Sequence, residues 1–440
     1  MTQKTLDSAN IKELLQHWPE IEPKSRQKFF WELPRPEAEE LFLGLSPLQQ
    51  LELIEHLSPF DQRSWIGLLA LDDMADYVQL LSKNKKEELL NLLGPSTKKE
   101  LLALLAYAED HAGGLMNPRY IYLRPEMTVE QAIRYVRAQA KTSIETIYYT
   151  YVLDSQQRLV GVASFRDLLL AVSNSLVEEI MATDLVFAKD DSDQEELSRL
   201  FTQHNLLAIP IVDADLKMKG IVTYDDIVEV VQEEATEDIQ KLGGMEALDA
   251  PYLQNNFTSM IKKRAGWLMV LFVGQMFTAS VMGYYEAEIG AAVILAFFIP
   301  LIISSGGNAG SQTSTLVIRS LAMREIGPRD WKKIVFREFS SGLVLGAILG
   351  LLGLARIVLW QQFSPIYGDS YKLIALTVGL SVLCVVLWGT IMGATLPLIL
   401  KKMNFDPAAA SAPFVATIVD ITGLILYFSV ANILLKGVLL

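Results

Sequence analysis

APFVATIVDITGLILYFSVANILL, residues 412–435, is a long apolar run with a single carboxylate, Asp420, near its middle. Crossing a bilayer takes about 20 predominantly apolar residues in a helix, and this run is long enough. No Lys or Arg lies within a helical turn or two of Asp420. A bare ionised side chain at mid-bilayer is costly, so such residues face a water-filled path or a partner group. On a helix Asp420 shares its face with Ala416, Thr417, Gly423 and Leu424, of which the first three are small. Small neighbours leave space for a bulky hydrated ion. The alternative is a structural acid hydrogen-bonded to Asn or Thr on another span.

Working back from this run, four more apolar stretches follow Lys262-Lys263-Arg264. The expected spans are Ala265–Tyr284, Ile289–Ile318, Ser341–Trp360, Leu373–Leu400 and Ala408–Leu435. Basic residues sort to one side of them. Arg319, Arg324, Arg329, Lys332, Lys333 and Arg337 lie between spans two and three, and Lys401 and Lys402 between spans four and five. The opposite loops hold Glu286, Glu288, Asp369 and Lys372. The positive-inside rule then predicts a cytoplasmic N-terminus and an outside C-terminus. The second span contains SSGGNAGSQTST, residues 304–315. Its glycines weaken a helix, and polar or non-helical backbone at that depth is tolerated where it is buried in protein or lines water. Close helix packing through Gly306, Gly307 and Gly310 is the competing reading. Asn308 and Gln312 lie one turn apart on one face, which makes them pore-side or packing-network candidates, together with Thr417 and Gly423.

The polar half has the opposite balance. Residues 1–250 hold 24 basic and 43 acidic residues, net −19, and the remainder holds 14 and 8, net +6. An acidic half argues against nucleic acid, which needs a basic face, and is compatible with divalent cations or with a solvated surface. Cys384 is the only cysteine, so no intrachain disulfide and no cysteine zinc site forms. MTQKTLDSANIKELLQHW at the start has no apolar leader segment.

Leucines at three- and four-residue spacing predict short helices from about Ile11 to Tyr107, with Ser46-Pro47 and Ser58-Pro59 as starts. An internal repeat follows. MNPRYIYLRPEMTVEQAIRYV from Met116 aligns with MATDLVFAKDDSDQEELSRLF from Met181, and GVASFRDLLLAV from Gly161 with GIVTYDDIVEVV from Gly220. Each copy reads as strand, helix, two strands, helix, with Ser164 and Thr223 capping helices and Asp167 and Asp226 three residues on. This resembles a pair of CBS domains. A helix from Asp226 to about Gly243-Gly244 then leads to the membrane part, carrying Asp226, Glu229, Glu233, Glu234, Glu237 and Asp238. Like charges at this spacing repel, so the helix gains from bound cations or nearby bases; a solvated acidic surface is the alternative. Asp406, before the fifth span, is a plausible partner. No G-x-x-x-x-G-K-[ST] loop is present, which disfavours ATP-driven pumping, and the four histidines show no metal-site spacing. No enzyme is expected.

EDHAGGLM, EEATEDIQKLG, SSGGNAGSQTSTLVIRSLA and DPAAASAPFVATIVDITG, in this order, resemble the MgtE magnesium channel and transporter family over nearly the whole chain. The resemblance implies a multi-domain membrane protein. Its parts are a helical N-domain (residues 1–115), two CBS copies (116–178 and 179–238), a plug or connecting helix (239–262) and a five-span α-helical domain (263–440). It implies a homodimer in the plasma membrane (the inner membrane of a bacterial cell) with the ion path on the two-fold axis. Asp420 and the Ala416 carbonyl would face a hydrated Mg²⁺. Regulatory Mg²⁺ would be held by Asp226, Glu229, Glu234, Glu237, Asp238 and Asp406, by Glu40, Asp72 and Asp76 in the N-domain, and by Glu195 in the second CBS copy. Two positions depart from the family's pattern: Asn205 stands where the resemblance implies an acid, and Ala412 where it implies a polar residue. ATP would bind the CBS module near Tyr149, Arg166 and Asp167. The function so implied is Mg²⁺ uptake driven by the membrane potential and closed by cytosolic Mg²⁺. A Na⁺- or H⁺-coupled divalent transporter or exporter, and a membrane-anchored nucleotide sensor, are the alternatives.

Overall fold

The computed structural model describes residues 11–141, 145–248, 252–253, 255–364 and 366–439, so the first ten residues of the leader reading lie outside this set. The chain forms two compact units, residues 1–232 and 233–440.

In the first unit, short helices follow one another: α1 (Ile11–His17), α2 (Pro23–Glu32), α3 (Arg35–Leu43), α4 (Pro47–Ile54), α5 (Pro59–Ile66), α6 (Leu71–Gln79), α7 (Lys83–Leu92) and α8 (Pro95–Leu104). The Ser-Pro starts behave as expected. The Ser46 N–H donates to Gln49 Oε1 (3.2 Å), and the Asp61 N–H donates to Ser58 Oγ (3.3 Å). Trp18, Phe30, Phe42, Trp65 and Tyr77 are buried where these helices meet.

Two three-stranded sheets follow, one per repeat. In the first, β1 (Tyr122–Leu123) runs parallel to β2 (Tyr149–Leu153), which pairs antiparallel with β3 (Leu159–Ser164). In the second, β4 (Ala188–Lys189), β5 (Ala208–Val212) and β6 (Met218–Thr223) repeat that order and register. The signature glycines have a specific cause. A Cβ on Gly161 would lie 2.3 Å from Met181 Sδ, and one on Gly220 would lie 2.8 Å from the Asn117 carbonyl and 2.9 Å from Met116 Cγ. Met116 and Met181 open the two copies, so each copy's entry segment crosses the other copy's last strand, and only glycine leaves room.

One helix, Tyr224–Leu242, then runs past the expected boundary at 238/239 and stops just before Gly244, whose φ is +73°. The segment expected as a plug, 239–262, therefore begins inside this helix and ends inside the first apolar helix.

Among the described residues, the second unit contains five helices long and apolar enough to cross a membrane: Phe257–Tyr284, Val293–Ala322, Pro328–Phe363, Tyr371–Lys402 and Ala412–Leu435. The expected break in the second span lies elsewhere. SSGGNAGSQTST sits within continuous α-helix, Ile299–Ala322, and the irregular turn is the preceding 3-10 segment Val293–Phe298. Pro300 is in the helix's first turn, where its missing N–H costs nothing. The Leu295 carbonyl in the irregular turn accepts from Tyr427 Oη (2.8 Å), so the fifth span caps the break.

Backbones touch along glycine seams. A Cβ on Gly389 would lie 2.3 Å from the Gly306 carbonyl oxygen, and one on Gly393 would lie 2.2 Å from that of Gly310. A Cβ on Gly350 would lie 2.5 Å from the Gly379 carbonyl, joining the third and fourth spans in the same way. Without a hydrophobic gain from lipid, membrane helices associate through such close approach.

Candidate functional site

Asp420 is half-buried on the fifth span. Gly307 of the second span faces it: a Cβ there would stand 3.5 Å from Asp420 Oδ1 and 3.4 Å from Ala416 Cβ. The Gln275 amide of the first span lies beside the carboxylate, a polar side chain from another span as in the structural-acid alternative, though Gln rather than Asn or Thr. Ala416 and Thr417 are half-buried beside it. The Thr417 hydroxyl is taken by the Pro413 carbonyl (2.9 Å), and its methyl packs on Gly274. Gly423 corrects the pore-lining expectation. It is buried against the fourth span, where a Cβ would lie 3.1 Å from Val385 Cγ1, so it serves helix packing.

The polar segment 304–315 divides by face. Gly306 and Gly310 form the seam to the fourth span. Ser311 Oγ and Ser314 Oγ donate to the carbonyls of Ala412 (3.0 Å) and Ala410 (2.8 Å), fixing the start of the fifth span. Thr313 Oγ1 donates to Glu338 Oε2 (3.0 Å) on the third span, a carboxylate the sequence reading passed over. Asn308 and Gln312 are exposed on the single chain, and Asn308 Nδ2 reaches Ser304 Oγ (3.4 Å). Amide side chains left to hydrocarbon would lack partners, so this face belongs against protein or water.

The acids of the first unit gather around Asn117. Asp72, on α6, is 7% exposed. Asn117 Nδ2 donates to Asp72 Oδ1 (3.2 Å) and to Glu145 Oε2 (2.7 Å). Burial pushes Asp72 well above the ordinary carboxylate value, and the charges of Asp226, Glu145 and Asp73 push the same way. Asp226 is raised to about 7, chiefly by burial, although the Thr223 N–H (2.9 Å) and hydroxyl (2.7 Å) both donate to it. Burial and then Asp225 raise both Glu145 and Asp73. The named neighbours that act on Asp72 by charge are all acids, so it stays ionised beside a cation and otherwise takes a proton. Asp73, Asn117, Glu145 and Asp225 were missed in the sequence, since Asn117 is 45 residues from Asp72. Asp76 is one turn beyond Asp72, while Glu40 and Glu195 are exposed on α3 and on Gln194–His204.

In the second unit, Lys241 pairs with Glu237 and, at 2.7 Å, with Asp406 Oδ2. Asp406 also accepts from the Ala408 N–H (2.8 Å), capping the turn before the fifth span. Glu229 and Asp226 belong to the first unit; Glu234, Glu237, Asp238 and Asp406 belong to the second. Among the described residues no three His, Cys, Asp or Glu side chains close around one point as a metal shell. The acids are near enough to repel but form an open cluster.

In the CBS module, Tyr149 is half-buried on β2, and Arg166 is exposed. The Asp167 carboxylate is engaged by the Ser164 N–H (3.1 Å) and hydroxyl (2.5 Å).

Five apolar helices among the described residues, with the Asp420 carboxylate in mid-span, joined to a CBS pair and a helical domain, define a membrane transporter with an attached regulatory module. Known families agree. The description "Divalent cation transporter" (MgtE) matches residues 299–430, the MgtE intracellular N domain matches 6–110, and the CBS domain matches 112–174 and 177–233. The magnesium transporter MgtE of Thermus thermophilus is 40% identical over 332 residues, 76% of this chain and 72% of that one. That of Enterococcus faecalis is 33% identical over 332 residues, 76% and 71% of the two chains. The crystal structure of the cytosolic domain of the Mg²⁺ channel MgtE in complex with ATP is 39% identical. It covers 52% of this chain and 92% of that one, with a TM-score of 0.48. The chain belongs to the MgtE family.

Proposed function

We propose that this protein conducts Mg²⁺ passively into the cell and is closed by Mg²⁺ on the cytosolic side. The observation that carries the reading is Asp420: a carboxylate in mid-span, half open, beside the small residues Ala416 and Gly307. Two chains meeting at this face would place two carboxylates around one hydrated ion, so the working unit is a homodimer. Polar Asn308 and Gln312 extend the same path. The N-terminus is cytoplasmic and the C-terminus outside, as the basic loops require, in the plasma membrane. Inward movement of a divalent ion gains about 4.6 kcal/mol per 100 mV of inside-negative potential, at about 2.3 per charge, so no chemical fuel is needed.

Closure follows from charge. At low Mg²⁺ the acids around Asn117 and those of the linker helix repel. Bound Mg²⁺ neutralises them and favours the compact cytosolic arrangement, a population shift by a ligand that prefers one state. Asp72, Asp76, Glu40, Asp226, Glu195, Glu229, Glu234, Glu237, Asp238 and Asp406 are the residues assigned to this sensing. ATP at Tyr149, Arg166 and Asp167 is a further element of the reading, with Asp167 already committed to its cap.

Purified protein in liposomes provides the test. Mg²⁺ uptake should grow with inside-negative potential, ignore imposed Na⁺ and pH gradients, and stop when the lumen on the cytosolic side is loaded with Mg²⁺. Uptake that needs a Na⁺ or H⁺ gradient would instead make this a coupled transporter.

A further inference from the structure

The first and fifth spans pack in parallel register. Trp267 Nε1 donates to Ser411 Oγ (3.2 Å), and its ring centre lies 5.8 Å from that of Phe414. Two turns on, Gly274 is pressed to the same helix: a Cβ there would stand 2.9 Å from Thr417 Cγ2. The next residue, Gln275, is exposed on the single chain and brings its amide beside the Asp420 carboxylate. Gln275 is the only side-chain amide between Arg264 and Glu286. One turn beyond it on the same face, Thr278 Oγ1 is buried with no hydrogen-bond partner among the described residues. An amide in an otherwise apolar span is placed where it has something to bond, because hydrocarbon offers nothing.

We propose that Gln275 is a positioning residue for the ion path. Its amide holds one oxygen of Asp420, fixes the carboxylate's orientation and leaves the other oxygen for the waters of a passing cation. This rests on Asp420 being the pore carboxylate. Gly274 serves the same end, since any side chain there would push the first span away from Thr417 and lift the amide off Asp420. Partners that orient an ion-binding group typically contribute ten- to hundredfold in affinity. Contact through water places the effect at the low end, about tenfold.

The experiment is single-channel recording of the full chain in planar bilayers, with conductance measured against Mg²⁺ concentration. Gln275→Leu should raise the half-saturating Mg²⁺ concentration about tenfold while closure by cytosolic Mg²⁺ stays as in the parent. Half-saturation is independent of how many channels fold, so a merely structural role would not move it. Should Gln275→Leu fail to fold, Gln275→Met keeps the length, drops the amide and is read in the same way. A parent-like half-saturating concentration overturns the proposal. Asp420→Ala run beside it separates the two failures. If Asp420→Ala loses Mg²⁺ conduction and Gln275→Leu is unchanged, only the positioning role falls; if Asp420→Ala conducts like the parent, the pore reading falls first and takes this with it.

Discussion

Lys241 Nζ lies 2.7 Å from Asp406 Oδ2 and is paired as well with Glu237, one turn earlier on its own helix. A lysine ammonium thus sits between two acids assigned to regulatory Mg²⁺. Burial opposes its charge, but the hydrogen bonds it donates to Asp406 and Glu237 outweigh that and hold it well above the ordinary lysine value. A tethered cation and a free divalent one compete for the same oxygens.

Replacing that cation should therefore sensitise the closure. In Lys241→Met, the cytosolic Mg²⁺ concentration that half-closes the channel should fall about two- to fivefold. That is the size expected for a pair whose side chains are 32% and 39% exposed. Patch-clamp dose–response curves on the cytosolic face measure it. A higher half-closing concentration would mean that Lys241 itself holds the closed state.

The cluster around Asn117 predicts a pH dependence of unusual sign. Asp226 is raised to about 7 and Asp72 is raised as well, so the folded chain binds these protons more tightly than the unfolded chain. Their contribution to stability is complete below the unfolded carboxylate value of 3.8 and is lost as pH rises through about 7. The melting temperature of the cytosolic unit, followed in the full chain, should drop by several degrees between about pH 5.5 and pH 8, at roughly 2–4 °C per kcal/mol for a unit of this size. Mg²⁺ should restore more of it at the higher pH. Asp72→Asn with Asp226→Asn should flatten the slope; an unchanged slope would show that other groups set it.

The glycine seam gives a paired test of packing. Gly389→Ala drives a methyl to 2.3 Å from the Gly306 carbonyl, where backbone has no room to yield. About 1–3 kcal/mol or more of destabilisation is expected, with loss of monodisperse protein on size-exclusion chromatography. Gly353→Ala meets only Val378 Cγ1, at 3.8 Å, and should behave as the parent does. Equal behaviour of the two variants would remove the seam from the account.

What could be read along the chain was whatever carries a one-dimensional signal. Five apolar runs, the repeated G-h-h-[ST]-x-x-D segments with their caps, and the helix end near Gly243-Gly244 all appear where expected, because length, period and capping are local. The glycines of SSGGNAGSQTST misled for a physical reason. They weaken an isolated helix, but in a bundle they let two backbones meet, and the helix persists. The break falls at Val293–Phe298 instead, ahead of Pro300. Lys241 and Gln275 were visible, the first four residues after Glu237 and the second alone in its span, and went unweighted. The grouping of Asp72, Asn117, Glu145 and Asp226 has no sequence signature, since only the packing of α6 on the CBS module brings these residues together.

The most direct measurement is Mg²⁺ current through purified Asp420→Ala in planar bilayers, with no Mg²⁺ on the cytosolic side. Asp420→Ala should lose Mg²⁺ conduction or its preference for Mg²⁺ over monovalent cations, while folding and assembling like the parent. Parent-like Mg²⁺ current and selectivity in Asp420→Ala would contradict it.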